Sequence, residues 1–193
     1  MNRYEYGRIQ KLYDSLQQQG VAPEIIDEIM QGGEDIRKNT SPKEKGLWLL
    51  AAMQKLERLL PPAVITPVRE GCACCLGGER LKLSKVAFKA GSTLAERIAA
   101  LDAAKMVCGN SARQVADNVF EVRFQPEGWP IYRCVCLPKV EGTPTTTYCQ
   151  CCGGHIKHHM QVALGVPLTC EVVHTALTSY GKEACRFRFT IAE

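Results

Sequence analysis

The sequence is short of long apolar runs. The longest, such as Leu47 to Met53, fall well below the roughly 20 residues that a bilayer span needs, so no helical membrane protein is expected. No apolar segment follows Met1-Asn2-Arg3-Tyr4-Glu5 either, and the expected compartment is the cytoplasm. Charge of one sign is also lacking. The 24 Lys and Arg residues stand against 20 Asp and Glu, and the net +4 is scattered, so neither nucleic acid nor a membrane surface is the expected partner. There is no Walker-type loop, no GxGxxG, no GxSxG nucleophile elbow and no HExxH, which removes the commonest phosphate-binding, dinucleotide, serine-hydrolase and zinc-protease readings. No Pro/Gly/Ser-rich linker divides the 193 residues. They suit one domain, a helical region over 1–110 followed by an α+β region over 111–193.

What the sequence has in excess is cysteine. There are 11, an odd number, and eight sit in clusters: Cys72/Cys74/Cys75, Cys134/Cys136 and Cys149/Cys151/Cys152. Disulfide frameworks belong to short secreted chains, so metal binding or thiol chemistry is the better reading of a long cytosolic one. Two clusters repeat a pattern, Cys72-Ala73-Cys74-Cys75 and Cys149-Gln150-Cys151-Cys152, each followed within three residues by Gly-Gly. Thiolates beside permissive backbone can converge at about 2.3 Å on a zinc ion, or hold an iron–sulfur cluster. Neighbouring cysteines in a strand point to opposite faces, however, so one or two of each triplet would share an ion. Cys108, Cys134, Cys136 and Cys170 are most economically small buried hydrophobes.

The periodicity gives the fold class. Helices are expected over 4–19, Pro23 to Met30, from Ser41 to the Pro61-Pro62 pair, from about Val64 into the first cysteine cluster, and over Glu79 to Lys89. Thr93 and Glu96 open a last one that closes at Gly109-Asn110. Beyond residue 117 the period becomes two. Strands are expected at Phe120–Phe124, Ile131–Leu137, Thr146–Gln150, Leu168–Leu177 and Ala184–Ala192, with a helix over Ile156–Leu164. The order β-β-β-α-β-β after a helical half predicts an α+β fold, with the N-terminal helices packed on a mainly antiparallel sheet.

All four histidines fall in the last 40 residues. His155 shares a helical side with both His158 and His159, a spacing that can chelate one ion, although a solvated face is the simpler reading for His158. Period two in its strand puts Cys170 and His174 on one face and Glu171 on the other, unless a bulge intervenes.

From Tyr148 onward the residues Tyr148-Cys149, Gly154, Leu164-Gly165, Pro167, Glu171, Gly181 and Cys185-x-Phe187-x-Phe189-x-Ile191 resemble the tail of the 4-vinyl-reductase-type domain family. This is a ligand-binding fold of the nitric-oxide signalling and Golgi-transport superfamily, and the resemblance covers about residues 118–192. It implies a sandwich-like domain, often a homodimer, enclosing a small-molecule pocket with a zinc ion held by cysteines and a glutamate. By spacing, Cys149, Glu171 and Cys185 would match those ligands. His174 falls where some members place a further cysteine, and histidine is an equally good zinc ligand. The Cys72 cluster has no counterpart.

The resulting expectation is a cytosolic domain that binds a small hydrophobic or heterocyclic ligand near a Cys/His-rich zinc site. Its ligands would be Cys149, Glu171 or His174, and Cys185, with Cys151 or Cys152 supplying the remainder. The alternatives are a metal-dependent hydrolase of a small substrate, an iron–sulfur or thiol redox protein, and a purely structural interaction module.

Overall fold

Helix ends in the first half follow from local chemistry. The computed structural model describes residues 3–109, 111–124 and 132–192. Its first helices are α1 (Gly7–Gln18), α2 (Pro23–Met30), α3 (Pro42–Leu59) and α4 (Pro62–Gly71). Ser41 accepts from the Glu44 amide while Glu44 reaches back to Ser41, closing a capping box with Pro42 at the first helical position. The second group is α5 (Gly78–Lys89), α6 (Leu94–Ala103) and the single turn α7 (Lys105–Cys108), with a matching box of Thr93 and Glu96 on α6.

The α+β class and the antiparallel sheet agree with expectation, but two strands do not. Strand β1 (Ser111–Ala116) precedes β2 (Val119–Phe124), then a 3-10 turn (Thr147–Cys149) leads into α8 (Gln150–Leu164), followed by β3 (Leu168–His174) and β4 (Cys185–Ile191). The sheet order is β1-β2-β4-β3, antiparallel throughout. The expected strand at 131–137 is irregular chain over 132–137, and Ile131 lies outside the described residues. The expected strand at 146–150 is the 3-10 turn and the first residue of α8.

Two apolar clusters form the interior. One joins α1–α4 with Leu137, Tyr148, Cys149 and Leu177. The other joins α5–α8 to the inner face of the sheet, where Phe120, Phe187 and Phe189 are fully buried. Within the helical half, the change from one cluster to the other falls in the Cys72–Gly77 loop. Helix α8 bridges the two clusters because its glycine pair permits close approach on both sides. A side chain at Gly154 would meet the Glu70 backbone of α4 at 2.8–2.9 Å, and one at Gly153 would meet Cys170 Sγ of β3 at 2.8 Å. Among the described residues no helix is long and apolar enough to cross a membrane.

Candidate functional site

Helix α4 ends on Cys72, and the chain then turns through Cys74 and Cys75, the latter at a left-handed φ of 59°. The histidines of α8 hold this loop. His155 Nδ1 contacts the Cys74 carbonyl at 2.7 Å, His159 Nε2 the Cys75 carbonyl at 3.0 Å, and His158 Nε2 the Leu76 carbonyl at 3.1 Å. A carbonyl can only accept, so each of these nitrogens carries the proton. The rings therefore serve as three donors that clamp consecutive carbonyls, and His159, backed by Ser84 Oγ at 3.0 Å from its Nδ1, is wholly buried.

Burial lowers the pKa of His155 from 6.5 to about 4 and lowers that of His159 too. The unfolded chain then binds more protons than the native one between those values, so stability is full above about pH 6.5 and falls as the pH drops towards 4. Urea midpoints measured across that window should decline with acidification. The decline should be shallower in His155→Gln, which cannot take up a proton.

The second cysteine pair enters on the irregular segment after Tyr132. Arg8 of α1 donates to the Cys136 carbonyl and, at 3.3 Å, to the Tyr148 hydroxyl. The Cys136 thiol interacts with both Cys134 and Cys152, and Cys152 in turn with Cys151, whose Sγ also lies 3.2 Å from the Tyr148 carbonyl, so four thiols from two segments form one chain of contacts. Cys136 is held well below the usual thiol range, first by its bonds from Cys134 and Cys152 and then by Arg8. Cys151 is also lowered, through the Cys152 bond and, against its burial, through Arg69 and Arg8. Cys152 and Cys134 are pushed up by the same contacts, which leave them as the protonated donors.

Arg69 of α4 lies under this chain, 2% exposed. It donates from Nε to the Thr147 carbonyl at 3.3 Å and from Nη2 to the Tyr148 carbonyl at 2.9 Å, and its guanidinium sits 5.3 Å from the Tyr148 ring centre. No carboxylate pairs with it among the described residues. Burial opposes its charge, yet Cys72, Cys151, Tyr148 and Cys152 hold its pKa above the usual value. The buried Arg69, the half-buried Arg8 and acidified thiols thus lie together.

The residues singled out from the sequence divide into two groups. Cys149, Cys151, Cys152 and Cys185 come together. Cys149 and Cys185, with Cys134 and Cys152, line an enclosed apolar cavity of about 20 Å³ that also touches Phe124 and Phe187, room for about one water molecule. Glu171 and His174 lie apart. A bulge between Val172 and His174 breaks the alternation and sets His174 beside Arg186 on the outer face, where Glu171 faces Arg188. His174 pairs with Glu183 at 3.2 Å and Glu171 with Arg188 at 3.4 Å, so the sheet separates both from Cys149 and Cys185. The zinc ligand set implied by the resemblance is therefore not assembled in this fold.

Cys108 and Cys170 pack as hydrophobes in the second cluster, and burial pushes both thiols up to about 12. Cys134 and Cys136, given the same role from sequence, pack against the first cluster and also belong to the thiol chain. The signal for them was present: Cys-x-Cys occurs at 72/74, at 134/136 and at 149/151. Among the described residues no three Cys, His, Asp or Glu side chains already surround one point as metal ligands. Beside the thiols, an open groove of about 450 Å³ runs past Cys134 between Pro138–Glu141 and Ala176–Gly181.

Residues 3–193 match the sequence model of DUF6144, a family of unknown function, and the chain belongs to that family. No curated protein matches it.

Proposed function

We propose that this DUF6144 member is a small-molecule-binding domain of the cytosol built around a thiolate-rich zinc site. One observation carries the reading: Cys134, Cys136, Cys152 and Cys151 meet in a single chain of thiol contacts beside the buried Arg69 and the half-buried Arg8. A buried guanidinium and a half-buried one favour compensating anions, and the acidic groups that face them are thiols and the Tyr148 phenol. Four thiolates around Zn²⁺ carry a net charge of about −2, which two arginines neutralise. Binding requires the ends of the chain, Cys134 and Cys151, to turn towards a common centre. The groove past Cys134, with Val140, Leu177 and Tyr180 on its walls, supplies an apolar surface for a ligand next to the metal.

Metal analysis with an absorbance spectrum tests the proposal. The expected result is about one zinc per chain and no visible band. Cys136→Ser and Cys152→Ser should each lose the metal, whereas Cys108→Ala and Cys170→Ala, which take no part in the thiol chain, should keep it. Full zinc content in the double Cys136→Ser/Cys152→Ser variant would sink the assignment. A brown protein absorbing in the visible would replace zinc by an iron–sulfur cluster at the same thiols.

A further inference from the structure

The outer face of the sheet carries two rows of side chains with different charge patterns. In the first, Arg113, Glu121, Arg188 and Glu171 stand in register across β1, β2, β4 and β3 and alternate in sign. Arg113 pairs with Glu121 at 3.0 Å and Arg188 with Glu171 at 3.4 Å, as stable cross-strand pairing favours.

The next row breaks that rule. Arg123 of β2 lies directly opposite Arg186 of β4, and Arg186 directly opposite His174 of β3. Like charges facing each other destabilise a sheet, and no carboxylate of the sheet separates these two. Arg186 Nε is shielded from solvent with no hydrogen-bond partner among the described residues, while Arg123 reaches only the Tyr132 hydroxyl, at 3.4 Å. With Lys182 these side chains line a groove of about 470 Å³, whose two carboxylates are already engaged, Glu121 by Arg113 and Glu183 by His174.

We infer that this groove binds a small molecule through a polyatomic oxyanion, a phosphate or a carboxylate, gripped by Arg123 and Arg186. Arg186 lines the groove, and turning its shielded, unpaired Nε towards a ligand there would complete the two-pronged donor that guanidinium offers to such groups. Lys182 adds a third cation, and the volume suits a metabolite rather than a polymer. The groove opens on the opposite face of the sheet from the thiols, with Tyr132 and Ala184 lining both it and the thiol cavity.

Thermal unfolding during titration with inorganic phosphate, and separately with malonate, tests this against sodium chloride at matched ionic strength. At least one of the two anions should raise Tm saturably while chloride does not, and the one that does identifies the group. Arg186→Gln and Arg123→Gln should each weaken the response at least tenfold, whereas Arg188→Gln, in the neutralised row, should retain it. Without ligand, either of the first two variants should melt at or above the wild-type temperature, because a repulsion has been removed. The inference is overturned if neither anion exceeds chloride, if both variants respond like wild type, or if both melt well below it without ligand.

Discussion

Replacing Arg69 by alanine should destabilise the protein by about 3–5 kcal/mol, the range for removing one member of a buried charged cluster. The guanidinium is the donor for two carbonyls at the turn that starts α8, those of Thr147 and Tyr148. Alanine leaves both without it, at about 1–3 kcal/mol each where water cannot enter. It also withdraws the cation that faces Cys72, Cys151 and Cys152. For a chain of this size about 2–4 °C accompanies each kcal/mol, so melting should fall by about 6–20 °C. Lysine at this position keeps the charge but lacks the planar fork, and should fall between the two. Repeating the melts with a chelator separates this loss from any loss of metal. Coincident wild-type and alanine curves would mean that the guanidinium does not hold the turn.

Gly154→Val should cost about 3 kcal/mol or more, the upper end for overfilling a packed interior, because the obstacle is backbone rather than a pliant side chain. A Cβ there would lie 2.8 Å from Glu70 Cα and 2.9 Å from the Glu70 carbonyl oxygen. Helix α8 must then move off α4, which pulls Lys157 from Glu70 and carries Cys151 and Cys152 away from Arg69. The expected signature is a joint loss of melting temperature and bound zinc. Gly77→Ala, at a loop glycine with open space around it, should change neither. Loss of stability with full zinc retained would show that the thiols do not depend on the α4–α8 contact.

Much of the architecture was legible because local chemistry and tertiary packing agree. The boxes at Ser41/Glu44 and Thr93/Glu96 mark helix starts that the structure keeps, and Pro23–Met30 is a helix over the stated span. Strand β1 was not legible. Its sequence, Ser111 to Ala116, buries only Ala112 and carries no clear apolar alternation. The opposite error arose at Thr146–Gln150, where β-branched and aromatic residues favour a strand. There the Gly153-Gly154 contacts and the Arg69 bonds impose a turn and helix, an instance of packing overriding propensity. The site was half legible. Clustering pointed to Cys149, Cys151 and Cys152, but neither the bulge that moves His174 nor the return of Cys134 and Cys136 onto α8 has a local signature.

The long sequence separations within the thiol chain also govern how the protein is made. Cys136 and Cys152 lie 64 and 80 residues after Cys72, as counted from 72 to 136 and from 72 to 152. At about 5–20 residues per second of synthesis, Cys72 waits roughly 4–16 s before the helix that covers its loop has even been polymerised. During that interval the carbonyls of Cys74, Cys75 and Leu76 lack the donors that clamp them in the finished protein. The three imidazole clamps of α8 fix these carbonyls in one docking event while leaving Cys74 and Cys75 exposed, so the shape of the loop is tied to completion of the second half rather than to folding of the first.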